Sequence, residues 1–169
     1  MQQFHNNIHS SNHNNNNNNN PTIDGNTHIF GLLGRHLSYS LSFQIHNSAF
    51  QYFDQNSVYI PFVLPEDNHA QSFLDAILHS KTNLHGLNIT TPYKSTFVQH
   101  PLIHSSESVQ RTGSMNTLIK KEDYWMAENS DIIGFIRSIA HLDLRGRDIL
   151  ILGAGGVARS VLYALRHKM

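Results

Sequence analysis

Leu84-His-Gly-Leu-Asn-Ile-Thr-Thr-Pro-Tyr-Lys94 is the stretch from which the fold class is read. Leu84 to Thr90 has the length and apolar content of a strand. Side chains two apart on a strand share a face, so Asn88 and Thr90 look the same way. Pro92 ends the strand and opens a short helix, bringing Lys94 near the strand's carboxyl end. Open α/β sheets bind ligands at that end. Two neutral hydrogen-bonding groups and one ammonium suit a small polyhydroxylated molecule better than a phosphate chain or a nucleic acid. An exposed lysine after an ordinary strand is the plain alternative.

Working outward, His28 to Leu33 reads as a short buried strand ended by Gly34. Ser42 to Phe53 has a helical stripe of Phe43, Ile45, Ala49, Phe50 and Phe53, with serines at its start. Val58 to Leu64 alternates like a strand. Pro65-Glu66-Asp67 opens a helix whose core face is Phe73, Leu74, Ile77 and Leu78. Strand, helix, strand, helix, strand requires crossover connections, which predicts an α/β fold with a mainly parallel sheet. Beyond it, Pro92 to Val98 and Ser105 to Arg111 read as short helices. Met115 to Lys120 and Tyr124 to Ala127 can pair through a Lys121-Glu122-Asp123 turn. Ser130 to His141 returns to helical spacing through Ile132, Ile133, Ile136 and Ile139, as a connector between two lobes.

Asp148 to Leu152 is a continuous apolar run that reads as a strand, followed by Gly153-Ala-Gly-Gly156 and a helix from Val157 to His167. Strand, Gly153-x-Gly155-x-x-Ala158, helix is the dinucleotide-binding pattern. The first glycine makes the tight turn and the second lets a pyrophosphate approach the backbone. A small third residue allows close packing, and the helix N-terminus supplies free N–H groups. Gly153, Ala154, Gly155, Gly156, Val157 and Ala158 are therefore the candidate cofactor cradle. The residue that separates NAD from NADP belongs about 20 positions further on, past Met169. The expectation is a truncated Rossmann-type βα unit.

The chain of 169 residues carries 12 basic and 12 acidic side chains and no cysteine. No basic stripe points to nucleic acid. Disulfides, thiolate catalysis and cysteine-zinc sites are excluded. No apolar run approaches a membrane span, and Met1-Gln2-Gln3-Phe4-His5 lacks the parts of a secretory signal, so no membrane partner and a cytoplasmic location are expected. Residues 1–26 form an Asn/His-rich tail, including the run Asn14 to Asn20, expected to be disordered. His5, His9 and His13 recur every four residues, but asparagine is a poor helix former and no metal site is expected. The expected domains are 27–129 for substrate and 130–169 for the start of a nucleotide lobe.

Together these segments resemble the shikimate and quinate dehydrogenase family. Gly31-Leu-Leu-Gly34, Ser40-Leu-Ser42 and His46-Asn47-x-x-Phe50 resemble its N-terminal signature. Gly86 to Lys94 resembles its catalytic-lysine segment, and Arg111-Thr-Gly-Ser-Met-Asn-Thr117 its substrate-asparagine segment. Asn129-Ser-Asp131 and Gly153-Ala-Gly-Gly-Val-Ala-Arg159 resemble its Asn-Thr-Asp motif and glycine-rich loop. The resemblance implies an oxidoreductase of aromatic amino-acid biosynthesis that reversibly reduces 3-dehydroshikimate to shikimate with NADP, NAD and quinate remaining open as cofactor and substrate. It implies that Ser40 and Ser42 hold the substrate carboxylate, although helix capping explains serines there too. It further implies that Asn88, Thr90 and Asn116 bond the ring hydroxyls, and that Lys94 and Asp131 flank the reacting oxygen. Asp131 at a helix start has a plain alternative as a helix-dipole partner. Phe43, Ser130 and Ile132 depart from the family's usual proline, threonine and glycine. A binding lobe without turnover is the competing reading. A folate- or tRNA-linked reductase would share the glycine loop but not Ser40, Ser42, Asn88, Lys94 and Asn116.

Overall fold

The computed structural model describes residues 23–64, 67–79 and 81–168. The tail through residue 22, with His5, His9 and His13, and the Pro65-Glu66 helix opening lie outside the described residues. The strands are β1 His28–Gly34, β2 Ser57–Val63, β3 Leu84–Ile89, β4 Ile103–Ser105, β5 Thr117–Lys120 and β6 Trp125–Glu128. The helices are α1 Ser42–Tyr52, α2 Asp67–His79, α3 Glu107–Thr112, α4 Ser130–Ser138 and α5 Gly156–Lys168, with a 3-10 turn at Tyr93–Ser95. The strands make one 6-stranded sheet in the order β2-β1-β3-β5-β6-β4. Pairings β1–β2, β1–β3 and β4–β6 are parallel, while β3–β5 and β5–β6 are antiparallel. The fold is α/β, and the expected β5–β6 hairpin forms. Among the described residues no helix is long and apolar enough to cross a membrane.

Strand alternation divides the sheet into two unequal faces. On one, Leu33, Leu87, Ile89 and Leu118 meet Ala70, Leu74 and Leu78 of α2 in the main core. Leu74 is fully buried there, and truncating such a leucine to alanine costs about 2–5 kcal/mol. The other face carries a smaller cluster, Leu32, Leu37 and Tyr59, packed by Phe30, Phe43 and Phe50. A β-bulge sorts β3 between the two. Ile29 pairs with Leu84 but Phe30 pairs with Gly86, leaving His85 as the extra residue. Leu84 thus stays in the main core, while Gly86 and Asn88 turn to the α1 side.

Three expectations need correction. No residue of α1 is fully buried, and Ile45 and Phe53 of the expected stripe point to solvent. The inward stripe is Phe43, His46, Asn47 and Phe50, because His46 stacks on Tyr59 and Asn47 bonds its peptide group. Strand β4 is not expected from the sequence. It delays the start of the following helix from Ser105 to Glu107, with Ser105 pairing to Ala127. The strand expected over Asp148–Leu152 does not form: Leu150 is 83% and Leu152 89% exposed. Its composition is right, but a strand needs neighbouring backbone to take its N–H and C=O groups. Among the described residues no strand pairs with it. The helix after the glycine loop does form, and it packs on α3 and α4 through Ser160, Ala164 and Leu165.

Candidate active site

Lys94 is held from both sides. It sits in the 3-10 turn after the cis Thr91–Pro92 peptide. The neighbouring Tyr93 is buried and its hydroxyl donates to the Leu64 carbonyl at 2.7 Å. The Lys94 carbonyl itself accepts from the Met115 N–H at 2.8 Å. With the backbone fixed, the half-buried ammonium reaches Asp131, Nζ to Oδ2 at 2.7 Å. Asp131 lies in the first turn of α4, where its N–H donates to the Asn129 side chain at 3.2 Å. The helix-dipole role and the ion-pair role therefore coincide in one carboxylate.

Asn116 occupies the other carboxylate oxygen, donating from Nδ2 to Asp131 Oδ1 at 2.8 Å. Asn88 lies beside it on β3, donating to the Asn116 carbonyl at 3.3 Å and to Thr117 Oγ1 at 3.2 Å. Its Oδ1 accepts from the Tyr59 hydroxyl at 2.8 Å. Lys94, Asp131, Asn116 and Asn88 are thus one connected group.

Ser40, Ser42 and Thr90 gather in a separate cavity of about 340 Å³, walled by Leu32, His36 and Tyr39. The Ser42 N–H donates to Ser40 Oγ at 3.2 Å, so Ser40 braces the helix start while its hydroxyl faces the cavity. Asn88 does not line that cavity. It lines a smaller apolar one of about 270 Å³ with His46, Tyr59 and Thr117. Lys94 lines a cleft of about 510 Å³, opposite Gly153, Gly155, Gly156, Val157 and Ala158. Thr91 borders both the Lys94 cleft and the serine cavity, so the two adjoin. Of the expected cradle, only Ala154 is absent from the cleft wall, pointing to solvent.

Residues 32–118 match the profile of the shikimate dehydrogenase substrate binding domain. The chain belongs to the shikimate dehydrogenase family. It is 36% identical over 150 residues to the shikimate dehydrogenase (NADP(+)) of Caldanaerobacter subterraneus subsp. tengcongensis, covering 86% of this chain and 51% of that relative. Its fold is similar to shikimate 5-dehydrogenase of Thermus thermophilus solved with NADP(H) and shikimate. There the TM-score is 0.72 at 28% identity, over 84% of this chain and 53% of the other. The Listeria monocytogenes shikimate 5-dehydrogenase, solved with shikimate and NAD, gives a TM-score of 0.66 at 26% identity, over 84% and 49%. The chain spans about half the length of these shikimate dehydrogenases.

The glycine loop has the local features that a dinucleotide phosphate needs. Gly153 has φ of +125°, a conformation that side chains rarely adopt. A Cβ at Gly155 would meet nothing within 4 Å, so the backbone there is open to a ligand. Gly156 starts α5, and its Cβ position lies 2.9 Å from Ser114 Oγ. That hydroxyl is buried and has no hydrogen-bond partner among the described residues. A loop that stops short of Ser114, with free N–H groups at a helix start, fits a shikimate dehydrogenase cofactor.

Four residues in this network had no role assigned from sequence. Asn129 is buried and donates to the Ser114 carbonyl and to Ser160 Oγ, both at 2.9 Å, joining α4 to α5. Asn47 pairs both peptide groups of Tyr59, at 2.8 and 3.0 Å. Burial pushes the Tyr59 hydroxyl up to about 12, so it remains a donor throughout the neutral range. Thr117 bridges the two site asparagines, donating to Asn116 Oδ1 at 3.0 Å. Asn47, Thr117 and Asn129 stand inside the segments that resemble the family's motifs, without a role of their own, whereas Tyr59 gave no signal beyond its place in an alternating strand.

Proposed function

We propose that this chain acts as an NADP-dependent shikimate dehydrogenase, interconverting 3-dehydroshikimate and shikimate. The observation that carries the reading is the 2.7 Å Lys94–Asp131 pair, whose lysine lines the same cleft as the glycine loop. Ser40 and Ser42 would hold the substrate carboxylate in the adjoining cavity, with Thr90, Asn88 and Asn116 toward the ring hydroxyls. Gly153, Gly155 and Gly156 with the α5 N-terminus would hold the cofactor phosphates, and the nicotinamide when bound supplies or accepts the hydride at the carbonyl carbon.

In the reduction direction the carbonyl oxygen gains an electron pair and needs one proton. Lys94 carries that proton on Nζ, and its charge stabilises the developing alkoxide. Once the proton passes to oxygen, Lys94 is a neutral amine and regains a proton from water. Asp131 orients the ammonium through Oδ2, while Asn116 holds Oδ1 and so fixes the carboxylate plane. The oxidation of shikimate reverses each transfer. Purified chain mixed with shikimate and NADP should give the absorbance rise of reduced cofactor; no rise rejects turnover.

A second reading rests on the unpaired, exposed segment over Asp148–Leu152. A chain that holds the acid but not the dinucleotide would be a shikimate- or quinate-binding protein. Calorimetry separates the two, since tight NADP binding excludes it.

A further inference from the structure

The hydrogen bonds among the site amides all run in one direction, and backbone groups fix that direction. An asparagine side chain is ordinarily ambiguous between its two ends. The carbonyl of Asn116 can only accept, so the end of Asn88 facing it is Nδ2. Asn88 therefore presents Oδ1 to the Tyr59 hydroxyl, which must donate. The Ser130 N–H can only donate, at 3.0 Å, so the end of Asn116 facing it is Oδ1. Asn116 Nδ2 is then the end that meets Asp131. Thr117 Oγ1 receives from Asn88 and donates to Asn116 Oδ1, which closes the gap between the two amides.

The result is an unbroken series: Tyr59 hydroxyl to Asn88, Asn88 to Thr117, Thr117 to Asn116, Asn116 to Asp131. Every member donates toward the carboxylate that pairs with Lys94. Successive dipoles aligned this way polarise one another, so the last bond into Asp131 is strengthened by the first. The far end is anchored rigidly. Tyr59 is 4% exposed, its ring stacks on His46 at 4.2 Å, and Asn47 clasps its peptide groups. Helix α1 thereby sets the orientation of groups on β3, β5 and α4.

We propose that Tyr59 and Thr117 are positioning residues of this site, holding Asn88 and Asn116 in the single amide orientation that directs hydrogen bonds to Asp131 and so sets the carboxylate that orients Lys94. The functional part rests on the shikimate dehydrogenase reading above; the hydrogen-bond part does not. Tyr59→Phe keeps the ring that stacks on His46 and removes only the hydroxyl. In the full chain with nitrogen-15 label, hydrogen exchange of the Asn88 and Asn116 side-chain amides is followed by NMR. Both should exchange about five- to tenfold faster in Tyr59→Phe, the loss expected for one net hydrogen bond, although the lost hydroxyl bonds Asn88 and not Asn116. Thr117→Val should accelerate both as well, and Thr117→Ser should restore the parent rates. Unchanged exchange at Asn116 in Tyr59→Phe overturns the proposal, as does a Thr117→Ser variant that behaves like Thr117→Val. If Tyr59→Phe does not fold, the Thr117 pair decides alone. Shikimate affinity, measured by calorimetry on the same samples, should fall by about the same factor. A parent chain that binds no shikimate refutes the functional reading while the exchange result still decides the network.

Discussion

Replacing Asn129 separates what ties α4 to α5 from what merely caps a helix. Its side chain makes three bonds in a buried setting: Oδ1 accepts from the Asp131 N–H, and Nδ2 donates to the Ser114 carbonyl and to Ser160 Oγ. Asn129→Ala removes the cap, worth about 1 kcal/mol, and two further bonds at roughly 1 kcal/mol each. The expected loss is therefore about 3 kcal/mol, or roughly 6–12 °C in melting temperature for a chain of this size. Asn129→Asp is the sharper variant. It keeps the cap acceptor and gains about 0.3–1 kcal/mol from the helix dipole. Against that, it turns a carboxylate oxygen toward the Ser114 carbonyl, where a donor is required. Ser160 Oγ already donates to the Gly156 carbonyl at 3.0 Å, so rotating to meet the carboxylate gives up that bond. Two bonds are lost in all, and one acceptor–acceptor contact is created. The variant should still be destabilised by about 1–3 kcal/mol. Urea unfolding with matched m-values supplies the comparison. An Asn129→Asp chain as stable as the parent would show that the cap alone matters and would refute the account of the α4–α5 tie.

Other perturbations test other contacts. Gly156→Ala places a methyl 2.9 Å from Ser114 Oγ and should cost about 1–3 kcal/mol of unfolding free energy by overpacking. Ser114→Ala removes a buried hydroxyl that has no partner among the described residues, so alone it should be neutral or slightly stabilising, and in the double variant it should recover most of the loss; additive costs contradict this. Lys94→Met should lower shikimate-dependent NADP reduction by roughly 10²–10⁴-fold with little change in the urea midpoint, because its ion pair is partly exposed; retained kcat removes Lys94 from the chemistry. Burial raises Tyr59 to about 12, so the fold favours the neutral phenol. That contribution is intact below the unfolded value near 10 and is lost as pH rises toward about 12. Tyr59→Phe should flatten this alkaline loss of stability, and an unchanged slope would assign it elsewhere.

What the sequence revealed and what it hid follow from the range of the forces involved. Leu74 and Leu78 are legible because a helix core face repeats along one segment, and Lys94 because a proline turn puts it at a strand end. The glycine loop is legible because Gly153 must take a positive φ that few residues tolerate. Asp148–Leu152 misleads for the converse reason. Its apolar composition is local, whereas strand formation depends on a neighbour that composition does not specify. His46 and Asn47 mislead too, since polar residues on a helix are taken to face water. Their inward orientation is set by one tyrosine on β2, twelve residues beyond Asn47. Tyr59 itself reads as an ordinary alternating strand residue, because its partner Asn88 lies 29 positions away.

The antiparallel β5 is what makes the site possible. Asn88 and Lys94 lie at and beyond the carboxyl end of β3, and Asp131 lies beyond the carboxyl end of β6. Asn116 precedes β5, so it sits at that strand's amino end. Pairing Asn88 with Thr117, and Thr117 with Glu128, brings the start of β5 level with the two carboxyl ends. Were β5 parallel to β3, Asn116 would be displaced by the strand's length, roughly 13 Å for four residues. No side chain spans that distance, and the bonds from Asn88 to Thr117 and from Asn116 to Asp131 would both be lost. The hairpin turn at residues 121–124 is therefore as much a part of the site as the lysine turn. It reverses the chain so that three segments from different strands present their polar ends at one place. A lysine at the end of an open sheet is common. One that meets an aspartate already bonded to an asparagine at the start of a reversed strand is a constructed arrangement, and this accounts for the otherwise costly clustering of amide, hydroxyl and ionic groups on an apolar sheet.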